Sequence, residues 1–365
     1  MRTRDVFLAL LIVTSGLVVT GAHRGVFRHW QQTATNLSEL CLPYSRAWAQ
    51  GEDWREVERF AREIDSQRVA SLIVDNPNGQ VIVTGGKQTR VRVEASRYGR
   101  GRSQEEAFPR AQRAALSVTR SGRTITITVT GPEGFWRDGR LDLHLAAPEL
   151  LVLQLKTAGG LVNVQGMRRS VQAATVSGNL EVTDSRQVNA TSVSGAMDIS
   201  HVSGAVTARS VSGQVSVRQA SGDVDASTVS GDVALEAVKG ALSAATVSGS
   251  VVVQSYAGSE AAINTTSGRV TASLSRPLSG RLSAHTLSGS VLATVPADSD
   301  CVVDLASRSG GIGSNLPLHQ VERAHGHLHG QLGAGRGELT LTSVSGAVAA
   351  NAVSSSRDED SREFP

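Results

Sequence analysis

The sequence predicts an all-β chain: a parallel β-solenoid (β-helix) of about 18 residues per coil, preceded by an N-terminal β-rich cap and a short helix. Three observations carry that expectation. Glycines stand nine residues apart at 195, 204, 213, 222, 231, 240, 249 and 258, and the phrase Ser/Thr-Val-Ser-Gly recurs at 192–195, 210–213, 228–231 and 246–249, so one coil is two unequal halves. An apolar residue follows each glycine by two positions (Met197, Val206, Val215, Val224, Val233, Leu242, Val251), and two further on the size alternates (Ile199, Ala208, Val217, Ala226, Leu235, Ala244, Val253, Ala262). In-and-out alternation is the mark of strands. The large-then-small order predicts a wall of branched side chains packed against a wall of alanine. Finally, a hydroxyl precedes the glycine by three positions at Thr175, Ser192, Ser210, Thr228 and Thr246, and again at Thr265, Thr286, Ser307 and Ser343. Stacked coils would align these into a ladder able to bond one another or the turn backbone. The glycines of that turn, among them Gly195, Gly213, Gly231 and Gly249, suit corners of positive φ. The other turn shows no rule, with His201, Gln219, Ala237 and Ser255 at the matching place.

From the N-terminus, Arg2 and Arg4 precede an apolar run from Val6 to Val19 and then Thr20-Gly21-Ala22. Residues 1–22 read as an export signal, either cleaved or retained as a signal-anchor that holds the chain to the inner membrane through residues 6–22. Both export readings put the bulk of the chain outside the cytoplasm, in the periplasm or at the cell surface, whereas the lesser alternative is a buried helix of a soluble cytoplasmic protein. Residues 23–68 read as a linker or juxtamembrane segment. Within it Trp54, Val57, Phe60, Ala61 and Ile64 have the spacing of a short amphipathic helix, with a first strand as the alternative. Residues 69–158 form the β-rich cap, with turns at Asn76-Pro77-Asn78-Gly79 and Gly85-Gly86 and strands at 124–130 and 141–145. Ser103-Gln104-Glu105-Glu106 resembles a capping box opening a brief helix that Pro109 interrupts. Residues 159–350 hold the solenoid repeats, with a C-terminal cap insertion at 313–342, and the charged stretch 351–365 reads as a disordered tail.

Composition narrows the function. With 37 glycines and 4% aromatic residues a globular core would be poor, whereas a solenoid interior needs only small repeated side chains. The net charge of +3 comes from 36 basic and 33 acidic residues, with no basic run interleaved with aromatics, so nucleic acid is not an expected partner. Cys41 and Cys301 stand in a polar flank and an apolar run, and whether they pair stays open.

The candidate chemistries are few. Calcium-binding β-rolls place a carboxylate in every turn, but here Asp223 and Asp232 have Ala205, Ala241, Gln214 and Ser250 as their neighbours one coil away, so no carboxylate column forms. Lyases and hydrolases on β-helices need converging carboxylates or an arginine base. Asp223 and Asp225 share an outward face, but Arg209 and Arg218 fall half a coil apart on opposite sheets, and a solvated surface accounts for all four. His325, His327 and His329 are the sharpest local feature. On an extended strand alternate histidines project to one side and could hold zinc, copper or nickel, although a polar hairpin explains them more simply. No His or Asp recurs with the Ser-Gly hydroxyls, so they offer no nucleophile. No cofactor is expected.

The stretch Val74-Asp75-Asn76-Pro77-Asn78-Gly79-Gln80-Val81, the serial Thr-Val-Ser-Gly-Asp-Val phrase at 228–233, and Ser309-Gly310-Gly311-Ile312 with Leu341-Thr342-Ser343-Val344-Ser345-Gly346 resemble the bacterial β-strand-repeat domain family of provisional adhesins. That family is of unknown function and related to the heads of auto-transporter-adhesin-like proteins. The resemblance spans about residues 69–350 and implies a right-handed parallel β-solenoid in exported or membrane-anchored envelope proteins, with no catalytic residues to carry over. The expectation is therefore a non-enzymatic adhesin or surface-binding module of the cell envelope. It is expected to be monomeric and to meet envelope glycans or surface proteins. A carbohydrate-active enzyme and a self-assembling envelope scaffold are the alternatives.

Overall fold

The computed structural model describes residues 54–132 and 134–353, so the apolar run at 6–19, Cys41 and the tail beyond 353 lie outside the described residues. The chain divides into two compact units, one ending at Gly231 and the other beginning at Asp232.

The first unit opens with β1 (Trp54–Asp65), β2 (Ser71–Asn78), β3 (Val81–Gly86), β4 (Arg90–Arg100), the helix α1 (Gln104–Ala111), β5 (Ala115–Ser121), β6 (Thr124–Thr130) and β7 (Gly139–Pro148). The helical spacing at 54–64 is a strand: β1 pairs antiparallel with β4 from Trp54↔Arg100 to Asp65↔Arg90. A bulge between Glu56 and Glu58 inserts one residue, and the broken period of two imitates a helical one. In α1 the Ser103 hydroxyl accepts from the Glu106 N–H at 3.3 Å, and the Glu106 carboxylate accepts from the Arg102 N–H at 3.0 Å. The helix runs through Pro109 instead of stopping there, because the bond that proline cannot make would go to the carbonyl of Glu105 in the exposed first turn.

From Val152 each coil contributes one strand to each of two parallel sheets. In the first sheet Leu180–Ser185, Met197–Val202 and Val215–Ala220 follow one another, and in the second Ser170–Ser177, Gln187–Ser194, Val206–Ser212 and Val224–Ser230 do. The predicted walls lie inside. Val182, Ile199 and Val217 are in register on one sheet, Ala173, Ala190, Ala208 and Ala226 on the other, and all are buried. The first coil, β2 with β3, is not outermost. β6 pairs in parallel with β2 and β7 with β3, so the excursion from β4 to β7 returns to cover it.

The second unit repeats the device at its own end. The strands Gly337–Ser345 and Val348–Ala352, last in sequence, pair with Arg281–Ser288 and Val291–Val295, while Cys301–Ser307 and Ile312–Ser314 lie outside them. Sequence order had placed Ser307 between Thr286 and Ser343, and the fold places Ser343 between Thr286 and Ser307. The region 313–342 is thus only partly a cap. The hairpin of His319–Ala324 and His327–Leu332 pairs antiparallel on Cys301–Ser307, but residues 337–342 belong to an inner strand. The last strand also reaches Ala352, two residues into the stretch expected to be a tail.

In this unit the interior departs from the expected period at one strand. Ala262 points outward and Ile263 is buried, because the coil from Thr246 to its register partner Thr265 is one residue longer than its neighbours. An odd insertion moves every following side chain to the other face.

The hydroxyl column is buried, and its usual partner is a turn carbonyl one coil away. Thr228 donates to Gly213 at 3.2 Å, Ser343 to Gly289 at 2.9 Å and Ser307 to Gly346 at 2.8 Å. Among the described residues the hydroxyls of Thr175, Ser192 and Ser210 are buried without a partner. A buried hydroxyl that bonds nothing contributes only its desolvation cost. Ser192→Ala should therefore leave stability within about 0.5 kcal/mol of the parent or raise it, while Ser343→Ala should cost about 1 kcal/mol, as read from urea midpoints.

The opposite turn, which shows no rule in its side chains, has one in its backbone. Asp184, His201, Gln219, Ala237 and Ser255 all have φ between 53° and 56°. A left-handed conformation costs a residue with a Cβ roughly 1–2 kcal/mol, and glycine's extra freedom when unfolded gives back about half of that. Ala237→Gly should accordingly stabilise the protein by about 0.5 kcal/mol, measured by chemical denaturation.

Candidate functional site

The outward face of the second unit's capped sheet gathers most of the chemistry. Its strands Glu260–Ser267, Arg281–Ser288, Gly337–Ser345, Cys301–Ser307, His327–Leu332 and His319–Ala324 lie side by side. Register puts Glu260, Arg281 and Glu338 in one row across them, and Ser283, Thr340, Asp304, His329 and Glu322 in the next. These rows border an open groove of about 700 Å³ lined by Glu260, Arg281, Val302, Asp304, Arg336 and Glu338 together with Ser259, Gly280 and Gly337.

Most of the groove's charges are matched. Arg281 Nε meets Glu338 Oε2 at 3.0 Å, and Arg336 pairs with Asp300, whose carboxyl is held below its ordinary range by hydrogen bonds from the Arg336 backbone and side chain. Asp304 takes a different partner, His327, with Nε2 to Oδ1 at 2.8 Å. The rings of His327 and His329 are nearly parallel, 10° apart, with centroids at 6.4 Å. His325 does not join them; it sits exposed in the turn between the two hairpin strands. Burial pushes the Cys301 thiol up to about 11, with Asp300 adding to the effect, so it is a poor nucleophile at neutral pH. Burial also lowers His285, on the same face, below the usual imidazole range. Asp304 escaped the sequence reading because only the antiparallel pairing of Cys301–Ser307 with His327–Leu332 brings it to the histidines, and no local pattern announces that pairing.

In the first unit the suspected catalytic groups are dispersed into ion pairs. Arg209 bonds Asp225 within one sheet, and Arg218 bonds Asp198 at 2.7 Å on the other. In the second unit the Asp232 carboxylate accepts the backbone N–H of Ser250 at 2.7 Å and so staples one turn to the next. A further cluster lies at the cap, where the Arg140 guanidinium stacks 4.5 Å from the Tyr98 ring centroid and 5.2 Å from that of Trp54. Beside it burial raises the Asp142 carboxyl above the usual range, opposed by Arg140 and by the Gln80 N–H, which donates to it at 2.9 Å.

The family model described as Toastrack DUF4097 matches residues 69–350. No curated protein matches the chain. Among solved structures, a provisionally named lipid-binding protein from Parabacteroides distasonis is 12% identical, with 81% of this chain and 97% of the other covered and a TM-score of 0.40. A provisionally named adhesin from the same organism gives 12%, 81%, 97% and 0.38. A provisionally named adhesin from Bacteroides fragilis gives 10%, 81%, 97% and 0.32.

Proposed function

The chain belongs to the Toastrack DUF4097 family, and from that membership we propose that it is a non-catalytic binding module of the cell envelope whose flat repeat faces meet a polymeric partner. The observation that supports this best is a row of polar side chains. Gln154, Gln172, Asn189, Thr207 and Asp225 stand in register on adjacent strands of the first unit, all directed outward. A row repeating at the strand spacing of about 4.8 Å offers a similar set of donors and acceptors at every step. That suits an extended ligand with its own short repeat, such as an envelope glycan, better than a small molecule that a pocket would enclose.

Export or anchoring rests on residues 1–22, outside the described residues. Among those described, no helix is long and apolar enough to cross a membrane. Charged edges favour a monomer over a self-assembling scaffold. Of the outermost strands, β1 in the first unit carries Arg55, Glu56, Glu58, Arg59, Arg62 and Glu63 and β5 carries Arg120, while in the second His319–Ala324 carries Glu322 and Arg323 and Ile312–Ser314 is only three residues long. Such side chains discourage further strands from docking.

The test is co-sedimentation of the full chain with purified peptidoglycan and cell-wall polysaccharide. Retention that weakens in a Gln172→Ala/Asn189→Ala variant is the expected result, and no retention by any envelope polymer overturns the reading. New reducing ends in the same incubations would replace it with a carbohydrate-active enzyme.

A further inference from the structure

We infer that His327, His329 and Asp304 form a binding site for a divalent transition-metal ion of the zinc, copper or nickel class. His327 and His329 are two residues apart on one strand, so both rings leave the same face, and they already lie parallel. Asp304 is the direct cross-strand partner of His329, a position that holds Cβ atoms about 4.5–5.5 Å apart, and its carboxylate is in contact with His327. Two strands of one sheet thus bring two imidazoles and a carboxylate to one patch, without a loop having to order.

Among the described residues no three such side chains converge on a single point. For His327 and Asp304 the shift needed is small. A metal replacing the proton between His327 Nε2 and Asp304 Oδ1 takes ligand bonds of about 2.0–2.2 Å, which sets nitrogen and oxygen roughly 3.3 Å apart instead of the present 2.8 Å. His329 then has to turn its ring toward the same point by side-chain rotation on a fixed backbone. Glu322, paired with His329 from the far side, supplies a further oxygen at the edge of the patch.

The surrounding charge favours a cation. Three acidic residues line the adjoining groove, Glu260, Asp304 and Glu338, against two basic ones, Arg281 and Arg336. Both arginines are paired with carboxylates, Glu338 and Asp300, whereas among the described residues the Asp304 carboxylate meets only the His327 ring. His285, His319 and Arg323 are the other basic groups on these strands. His285 is two strands from Asp304, and His319 and Arg323 pair in register with Gln331 and Leu328, so none of them shares the row of Asp304 and His329.

The decisive measurement is calorimetric titration of Zn²⁺ and Ni²⁺ into the full-length chain at pH 7.5, with Co²⁺ absorption as a second readout of nitrogen and oxygen ligation. One equivalent should bind, and His327→Ala, His329→Ala and Asp304→Asn should each weaken it at least about tenfold, while His325→Ala should leave it unchanged. Circular dichroism of each variant separates lost binding from lost fold, and Asp304→Asn keeps the side chain's shape if Asp304→Ala fails to fold. Absence of binding, or binding indifferent to His327→Ala, or an equal loss with His325→Ala, overturns the assignment.

Discussion

Gly195→Ala is expected to cost about 3 kcal/mol or more of folding stability, counting roughly 1–3 for the disallowed backbone conformation and a similar amount for overpacking. Gly195 has φ 146°, and a Cβ there would lie 2.1 Å from the carbonyl oxygen of Gly178 and 2.8 Å from its carbon. Neither contact can be relieved by turning a side chain, since both obstacles are backbone of the neighbouring coil. Gly213 stands over Gly195 in the same way, with its own Cβ position 2.1 Å from the Gly195 oxygen. The glycines therefore form a file in which each one makes room for the next, and a methyl group at one step pushes two coils apart. Gly313→Ala is the control. A Cβ there meets nothing within 4 Å and the residue has no left-handed φ, so its cost should stay within about 0.5 kcal/mol. Urea midpoints for the two variants give the comparison, and similar values for both would mean the coils can part without penalty.

The same file explains why so much of the fold could be read from the chain alone. A glycine with no alternative and an apolar pair after it are required in every coil, and a hydroxyl recurs three residues before that glycine, so the pattern is written many times over. Where a rule is conformational the side chains conceal it, as at His201, Gln219, Ala237 and Ser255, which share a left-handed backbone and nothing else. Where a coil is one residue longer than its neighbours the period alone misleads, as at Ala262 and Ile263. Non-local pairing leaves no periodic trace. The insertion of Gly337–Ser345 between Arg281–Ser288 and Cys301–Ser307, the strand β1 and the meeting of Asp304 with His327 each depend on partners tens of residues distant. The His-x-His spacing was visible in the sequence, but its carboxylate came from outside the motif, and His325 proved to belong to a turn.

The walls of unequal volume make the second large prediction. Ile199 is fully buried in the row with Val182 and Val217, and truncating it removes three carbons from an interior with little freedom to collapse, because parallel ladders on both sides hold its strand. Ile199→Ala should cost about 3 kcal/mol, within the range of about 2–5 for such truncations. Ala208→Ile should also destabilise, by about 1–3 kcal/mol, since Ala208 is fully buried between Ala190 and Ala226 and a larger side chain there has to enter the opposing wall. If the walls are complementary in volume, the two changes share one space. The double variant Ile199→Ala/Ala208→Ile should then lose less than the sum of the singles, with a coupling of about 0.5–3 kcal/mol measured by a denaturation cycle. Strict additivity would mean that each sheet packs on its own account and that the alternation of large and small residues reflects strand preference instead of a fit between sheets.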